Sequence, residues 1–149
     1  QRILRDYHRA EDATQQTLVQ IWRKLPKLAD PDKFEGWSYR ILVNTCYAEA
    51  RKSRRHPDDL RLLDTDRASA DSALSVADRD MLERAFERLS PEQRAVLVLQ
   101  YYLDLGHPQI AEILGVPLGT VKSRSSAARQ ALRAALEADA RPGEGRWSA

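Results

Sequence analysis

Residues 107–133 read HPQIAEILGVPLGTVKSRSSAARQALR, and this stretch decides the fold. It divides into a short helix, a tight turn and a second helix rich in cations. Ile110, Ala111 and Leu114 share the inner face of the first helix. Gly115 stands where the chain must reverse, a place where positive φ costs least for glycine. Pro117 precedes a fresh helical start, and Val121 falls where the second helix packs back onto Ala111. A small residue, a turn glycine and a β-branched residue at these offsets let two helices cross closely, as in a helix-turn-helix. Beyond the turn, Lys122, Arg124, Arg129 and Arg133 accumulate with no Asp or Glu before Glu137. A helix so charged suits the major groove of DNA, where Arg and Lys meet phosphates and guanine edges. A solvated basic helix on an ordinary bundle is the plainer alternative.

Outward from that stretch, periodicity gives more helices. Leu18, Ile21, Trp22 and Leu25 recur at i, i+3, i+4 and i+7 within a helix from about Glu11 to Leu25, which Pro26 ends. This stripe is expected to face a core, with Trp22 mainly a core residue. The loop KLADPDKFEG carries two break signals, Asp30-Pro31 and Gly36. A second helix spans roughly Trp37 to Lys52 and is apolar over much of its circumference, which predicts burial in a bundle. From Ser53 to about Ala77 the chain turns polar and reads as a linker, with a short helical piece expected near Leu60 to Leu63. A third helix covers about Asp78 to Arg88. Ser90-Pro91-Glu92-Gln93 is a helix start, with Ser as N-cap, Pro at the first position and Gln closing a capping box. The tail ARPGEGRWSA reads as disordered. The fold class is all-α: two small helical domains on a flexible tether.

Charge narrows the function. Net charge is only +2 with 31% charged residues, so any anion contact must be local. Residues 40–55 hold Arg40, Arg51, Lys52, Arg54 and Arg55 against one acid, Glu49, while acids gather at 58–92. The one cysteine, Cys46, excludes an internal disulfide framework and fits a reducing cytosol; its apolar setting favours a small buried hydrophobe. No apolar run approaches the roughly 20 residues that span a bilayer, and no signal peptide opens the chain. His8, His56 and His107 lack metal-ligand spacing, and no phosphate loop or nucleophile pattern occurs, so neither an enzyme nor a cofactor is expected. His107 is expected on the helix-turn-helix surface. The chain begins at Gln1 in what reads as mid-helix, which predicts a preceding segment.

Three runs in order, AEDATQQTLVQIWRKL, FEGWSYRILVNTCYAEARKSRR and LSPEQRAVLVLQYYLDLGHPQIAEILGVPLGTVKSRSSAARQALRAAL, resemble the sigma factors of bacterial RNA polymerase. The likeness is closest to the compact extracytoplasmic-function (ECF) class, which keeps only regions two and four of the sigma-70 family. It implies region two over 1–55, truncated at its N-terminus, a linker over 56–77, region four over 78–136 and a tail over 137–149. It also implies a bacterial, cytoplasmic protein that binds core RNA polymerase, recognises and melts promoter DNA, and answers to an anti-sigma factor.

Residue by residue, the resemblance places Asp12, Gln15 and Gln16 on the face that docks on the clamp helices of the largest polymerase subunit. The family usually has Glu at position 16. Tyr39, Arg40 and Asn44 match positions near the melted strand of the minus-ten element, and Asp30 to Gly36 matches the loop that cups a flipped base. Stacking of unpaired bases on aromatic rings is worth about 1–3 kcal/mol each, though Trp37 is expected to pack rather than stack. Arg51, Lys52, Arg54 and Arg55 reach duplex phosphates upstream. Thr120, Lys122, Ser123, Arg124 and Arg129 match or extend the reading face for the minus-thirty-five element. Here the chain departs from its relatives. They commonly carry a large apolar residue at 125, an aromatic or polar one at 126 and Arg at 127, where this chain has Ser125, Ser126 and Ala127. Thinner packing of the reading helix, by about 1–3 kcal/mol, is expected. Gly106 stands where a Ser cap is usual.

A relaxed coil of about 25 residues spans roughly 25–30 Å, less than the spacing of DNA elements over ~34 Å apart. The tether therefore does not set that spacing, and polymerase must. Two rival readings remain at the level of sequence: a sigma-like decoy for an anti-sigma factor, and a stand-alone regulator using only residues 78–136. The decoy needs neither Asn44, Lys122 nor Arg124; the regulator leaves Asp12, Gln15 and Gln16 unexplained.

Overall fold

The computed structural model describes residues 1–55 and 76–140, and within them every regular element is helical. Six α-helices follow in order: α1 (Tyr7–Lys24), α2 (Phe34–Arg55), α3 (Val76–Glu87), α4 (Pro91–Leu97), α5 (His107–Leu114) and α6 (Leu118–Ala140). The expected helical piece at Leu60 to Leu63, most of the linker, and the tail beyond Ala140 lie outside the described residues. Helix α6 runs through Ala140, four residues into the stretch read as tail, and α3 starts two residues inside the stretch read as linker.

Helix α1 starts four residues before the expected Glu11, because Asp6 is an N-cap whose carboxylate accepts from the Arg9 N–H at 2.9 Å. Residues 2–4 form a turn rather than the middle of a helix. Pro26 sits in a one-turn 3₁₀ segment, Leu25–Lys27, that ends α1. A second such turn, Pro31–Lys33, is capped by Asp30, which accepts from Asp32 N–H at 3.1 Å, and leads into α2.

The orientation of α1 corrects the sequence reading. Its buried residues are Ala10, Ala13 and Thr17, and these small side chains let α1 lie close against α2. The seam is polar: Gln16 donates to the buried Glu49 at 3.2 Å, and Gln20 to the buried Thr45 at 3.3 Å. The large apolar stripe points away. Trp22 is 80% exposed and Leu18 61%, and both line an open apolar groove with Val19, Ile21 and Leu25. Helical spacing shows that residues share a face but not which face meets the neighbour. Here small residues won the contact.

The capping box at Ser90 forms as expected, with Ser90 Oγ accepting from Gln93 N–H at 3.2 Å and Gln93 Oε1 accepting from Ser90 N–H at 2.9 Å. Helix α4 then widens into a π turn, Val98–Tyr102. Helices α3 and α4 pack on α6 around Leu89, Leu97 and Ala128, with Phe86 and Ala131 at the margin. A larger core joins the two halves of the chain. Val43 and Cys46 of α2 meet Val96, Leu99, Ile110, Ile113 and Val121 in one cluster. Halves read as separately tethered thus share a hydrophobic core, through the packing of α2 on α4 and α5.

Candidate nucleic-acid interface

The helix-turn-helix is built as its sequence demands. Gly106 caps α5 without a side chain; only the reciprocal half of the box exists, Gln109 Oε1 accepting from Gly106 N–H at 2.9 Å. Gly115 ends α5 at φ 65° and ψ 37°, the left-handed region that favours glycine. Val116 N–H donates back to Ala111 C=O at 3.1 Å, which closes the turn. Ile110 and Val121 are fully buried where the helices cross, with Ala111 packed beside them.

On α6, Lys122, Ser123 and Arg129 are exposed, and Lys122 and Arg129 lie seven residues apart on one face. Thr120 is half-buried; its C=O accepts from Ser123 Oγ at 3.0 Å. Arg124 is half-buried and lies close enough to Tyr47 of α2 to influence its ionisation. No acid precedes Glu137 on this helix, so its first five turns present only positive charge to a polyanion.

Ser125 is fully buried, and its Oγ donates to Gln100 Oε1 at 2.8 Å. The small polar side chain therefore does not leave an empty site on the reading helix: a glutamine from the π turn fills it and satisfies the hydroxyl. Sequence reasoning missed this pair, because the two residues lie 25 positions apart and nothing local marks the π turn.

On α2, Arg40, Asn44 and Arg51 are exposed and follow a single stripe at i, i+4 and i+11. Arg54 and Arg55 extend the same helix to its end. Tyr39 is half-buried, and its hydroxyl donates to Glu35 at 3.1 Å. Burial, then that hydrogen bond, raises its pKa above the ordinary tyrosine value. Phe34 and Trp37 stand 6.0 Å apart at a tilt, with Trp37 half-buried, in keeping with its packing role. The Arg40 guanidinium lies against the helix-turn-helix turn: a Cβ built on Gly115 would stand 2.6 Å from Arg40 Nη2. Tyr47, further along α2, has a buried hydroxyl with no hydrogen-bond partner. Burial pushes its pKa up to about 12, against the pull of Arg124 and with the help of Glu92.

Asp12 and Gln15 are exposed on α1; Gln16 also reaches solvent but is held by Glu49, which Lys52 Nζ meets at 2.5 Å. Glu49 was legible only as a lone acid in a basic run, and its role is to knit α1 to α2. His107, expected on the surface, is half-buried at the start of α5 with its Nε2 enclosed and unpartnered. Among the described residues no helix is long and apolar enough to cross a membrane.

Comparison with known proteins places this geometry. Residues 1–56 match the family described as sigma-70 region 2, and residues 79–132 match sigma-70, region 4. The chain belongs to the sigma-70 family. Its relatives put it in the ECF class. It is 32% identical over 141 residues to the ECF RNA polymerase sigma factor SigL of Mycobacterium tuberculosis, covering 91% of this chain and 79% of that protein. It is 29% identical to SigW of Bacillus subtilis over 150 residues, covering 91% and 79%. Identity to SigE of Mycolicibacterium smegmatis is 37% over 142 residues, 89% of this sigma factor but only 53% of SigE. Among solved structures, the sigma factor RpoE of Bartonella quintana, in complex with the anti-sigma factor NepR, matches with a TM-score of 0.70 and 28% identity. That match covers 92% of this sigma factor and 86% of RpoE.

Proposed function

We propose that this ECF sigma factor divides promoter recognition between its halves. Residues 1–55 engage core RNA polymerase and the minus-ten element; residues 78–136 read the minus-thirty-five element. The observation that carries the proposal is the α6 face: exposed Lys122, Ser123 and Arg129, on a helix seated by the Gly115 turn and free of acids before Glu137. Thr120 and Ser123 lie near the start of that helix, where peptide dipoles add to the attraction for phosphate. Arg124, half-buried, adds a further cation to the same helix.

On α2, the stripe of Arg40, Asn44 and Arg51 supplies two cations and an amide suited to an unpaired strand and its phosphates, with Tyr39 beside it and Arg54 and Arg55 beyond. Asp12, Gln15 and Gln16 present acceptors and amides to the clamp helices of the polymerase's largest subunit. Glu49 holds Gln16, so that contact comes from a pre-set side chain. An anti-sigma factor is the expected regulator, by likeness to RpoE with NepR. The place of action is the bacterial cytoplasm, where polymerase and chromosome are.

Run-off transcription with core polymerase on a promoter library tests this. Promoter-specific transcripts are expected. The pair Lys122→Ala and Arg124→Ala should weaken dependence on the upstream element while core binding persists. Equal loss of both would contradict the assigned roles.

A further inference from the structure

The buried seam of α6 is made of small side chains. Val121, Ser125 and Ala128 are fully buried and Ala135 nearly so, on the face that meets α3, α4 and α5. Val121 shares a core with Val96 of α4, and Ala128 a second one with Leu97. Apolar burial of this kind holds the helix down but has no direction. Alanines offer no deep ridge to fix how far α6 is rotated on its bed. Ser125 differs. Its hydroxyl donates to Gln100 Oε1 at 2.8 Å, and a hydrogen bond weakens steeply as it bends. Gln100 is itself well anchored for this task. It stands in the middle of the π turn Val98–Tyr102, next to the buried Leu99 and four residues after the buried Val96.

The exposed cations of α6 flank this seam. Lys122 and Arg129 each follow a buried residue, Val121 and Ala128, by one position, about 100° round the helix. Rotating α6 by about 20° would move side chains at a radius of about 5–6 Å by about 2 Å. Long cations follow a phosphate through such a shift. Contacts to base edges do not, because a recognition constellation has to be held within about 0.5 Å. Taking α6 as the helix that reads the upstream element, as proposed above, we infer that Gln100 is a positioning residue for that recognition. Through its hydrogen bond to the buried Ser125 it fixes the rotation of the reading helix, and so sets sequence discrimination rather than affinity.

For the test, holoenzyme made from core polymerase and the full chain is bound to promoter fragments randomised across the upstream region, and the retained fragments are sequenced. Wild type should enrich one upstream sequence over the pool. Gln100→Met keeps the volume but not the acceptor, and the freed Ser125 hydroxyl can turn back to the Val121 C=O of its own helix. It should lower the enrichment about tenfold, the scale of one base contact, while retention of the unselected pool stays within about twofold because the cations remain. Gln100→Glu, which keeps the acceptor, should preserve the enrichment. Gln100→Met with Ser125→Ala leaves neither partner unpaired and should recover unfolding stability, yet stay as unselective as Gln100→Met alone. If Gln100→Met loses its helical circular dichroism, Gln100→Leu takes its place with the same expectation. Enrichment that returns with stability in the double variant overturns the positioning role, and so does full enrichment in Gln100→Met; both outcomes leave α6 on the upstream element. No upstream enrichment by wild type overturns that assignment, and the positioning role falls with it.

Discussion

Single residues carry much of the local design, and several expose it to measurement. Ser125 is the plainest case. Its hydroxyl is fully buried against Gln100, so Ser125→Ala should cost about 0.5–1.5 kcal/mol in denaturant unfolding, the net worth of one such bond. Trp22 gives the opposite contrast. A core tryptophan truncated to alanine costs about 3–5 kcal/mol, but one exposed as Trp22 is should change stability by no more than about 0.5 kcal/mol. Tyr47 adds a pH dependence. Its folded pKa of about 12 exceeds the ordinary 10.0, so the folded state holds the phenolic proton more tightly. That stability is complete below about pH 10 and is lost as pH rises through 12. Absorbance titration of tyrosinate should show one of the five tyrosines ionising last, together with unfolding.

At the scale of elements, what was legible in the sequence depended on whether its cause was local. The helix-turn-helix was readable because its signals sit within a few residues of their effects: the glycine at 115 takes the positive φ, and Val121 is buried at the crossing. The Ser90 capping box was readable for the same reason. The direction of α1 was not, because Leu18 and Trp22 recur at helical spacing just as Ala10, Ala13 and Thr17 do, and only the neighbour decides which stripe is covered. The π turn was also hidden, since nothing local marks it and the partner of its Gln100 lies 25 positions away on α6. Gly115→Ala makes an element-scale prediction. It forces a Cβ into left-handed backbone and onto Arg40, and should destabilise by more than about 1 kcal/mol. The loss should appear in α5–α6 packing, read by amide exchange at Ile110 and Val121.

For the whole molecule, the candidate site divides in the same way. The residue types were legible: Arg40, Asn44, Lys122, Ser123 and Arg129 are exposed on helical faces. Their relation to one another was not. A polar stretch between the halves reads as a tether, and a tether says nothing about the core that Val43 and Cys46 build with Val96 and Ile110. That core brings together residues some fifty or more positions apart, with no pattern in the intervening chain to announce it. Cys46, the only cysteine, is buried there, and burial raises its thiol pKa. Alkylation of the folded protein should therefore be slow, and should quicken in variants that separate the halves. An unchanged rate in such variants would place Cys46 inside one half rather than between the two.

The division of promoter recognition between α2 and α6 is tested most directly by permanganate footprinting of promoter fragments with core polymerase and this sigma factor. Reactive thymines near the start site are expected only when both are present, and substitution of Asn44 by alanine should reduce them without dissociating the holoenzyme. A holoenzyme that forms but leaves every fragment double-stranded would contradict the division of labour outright.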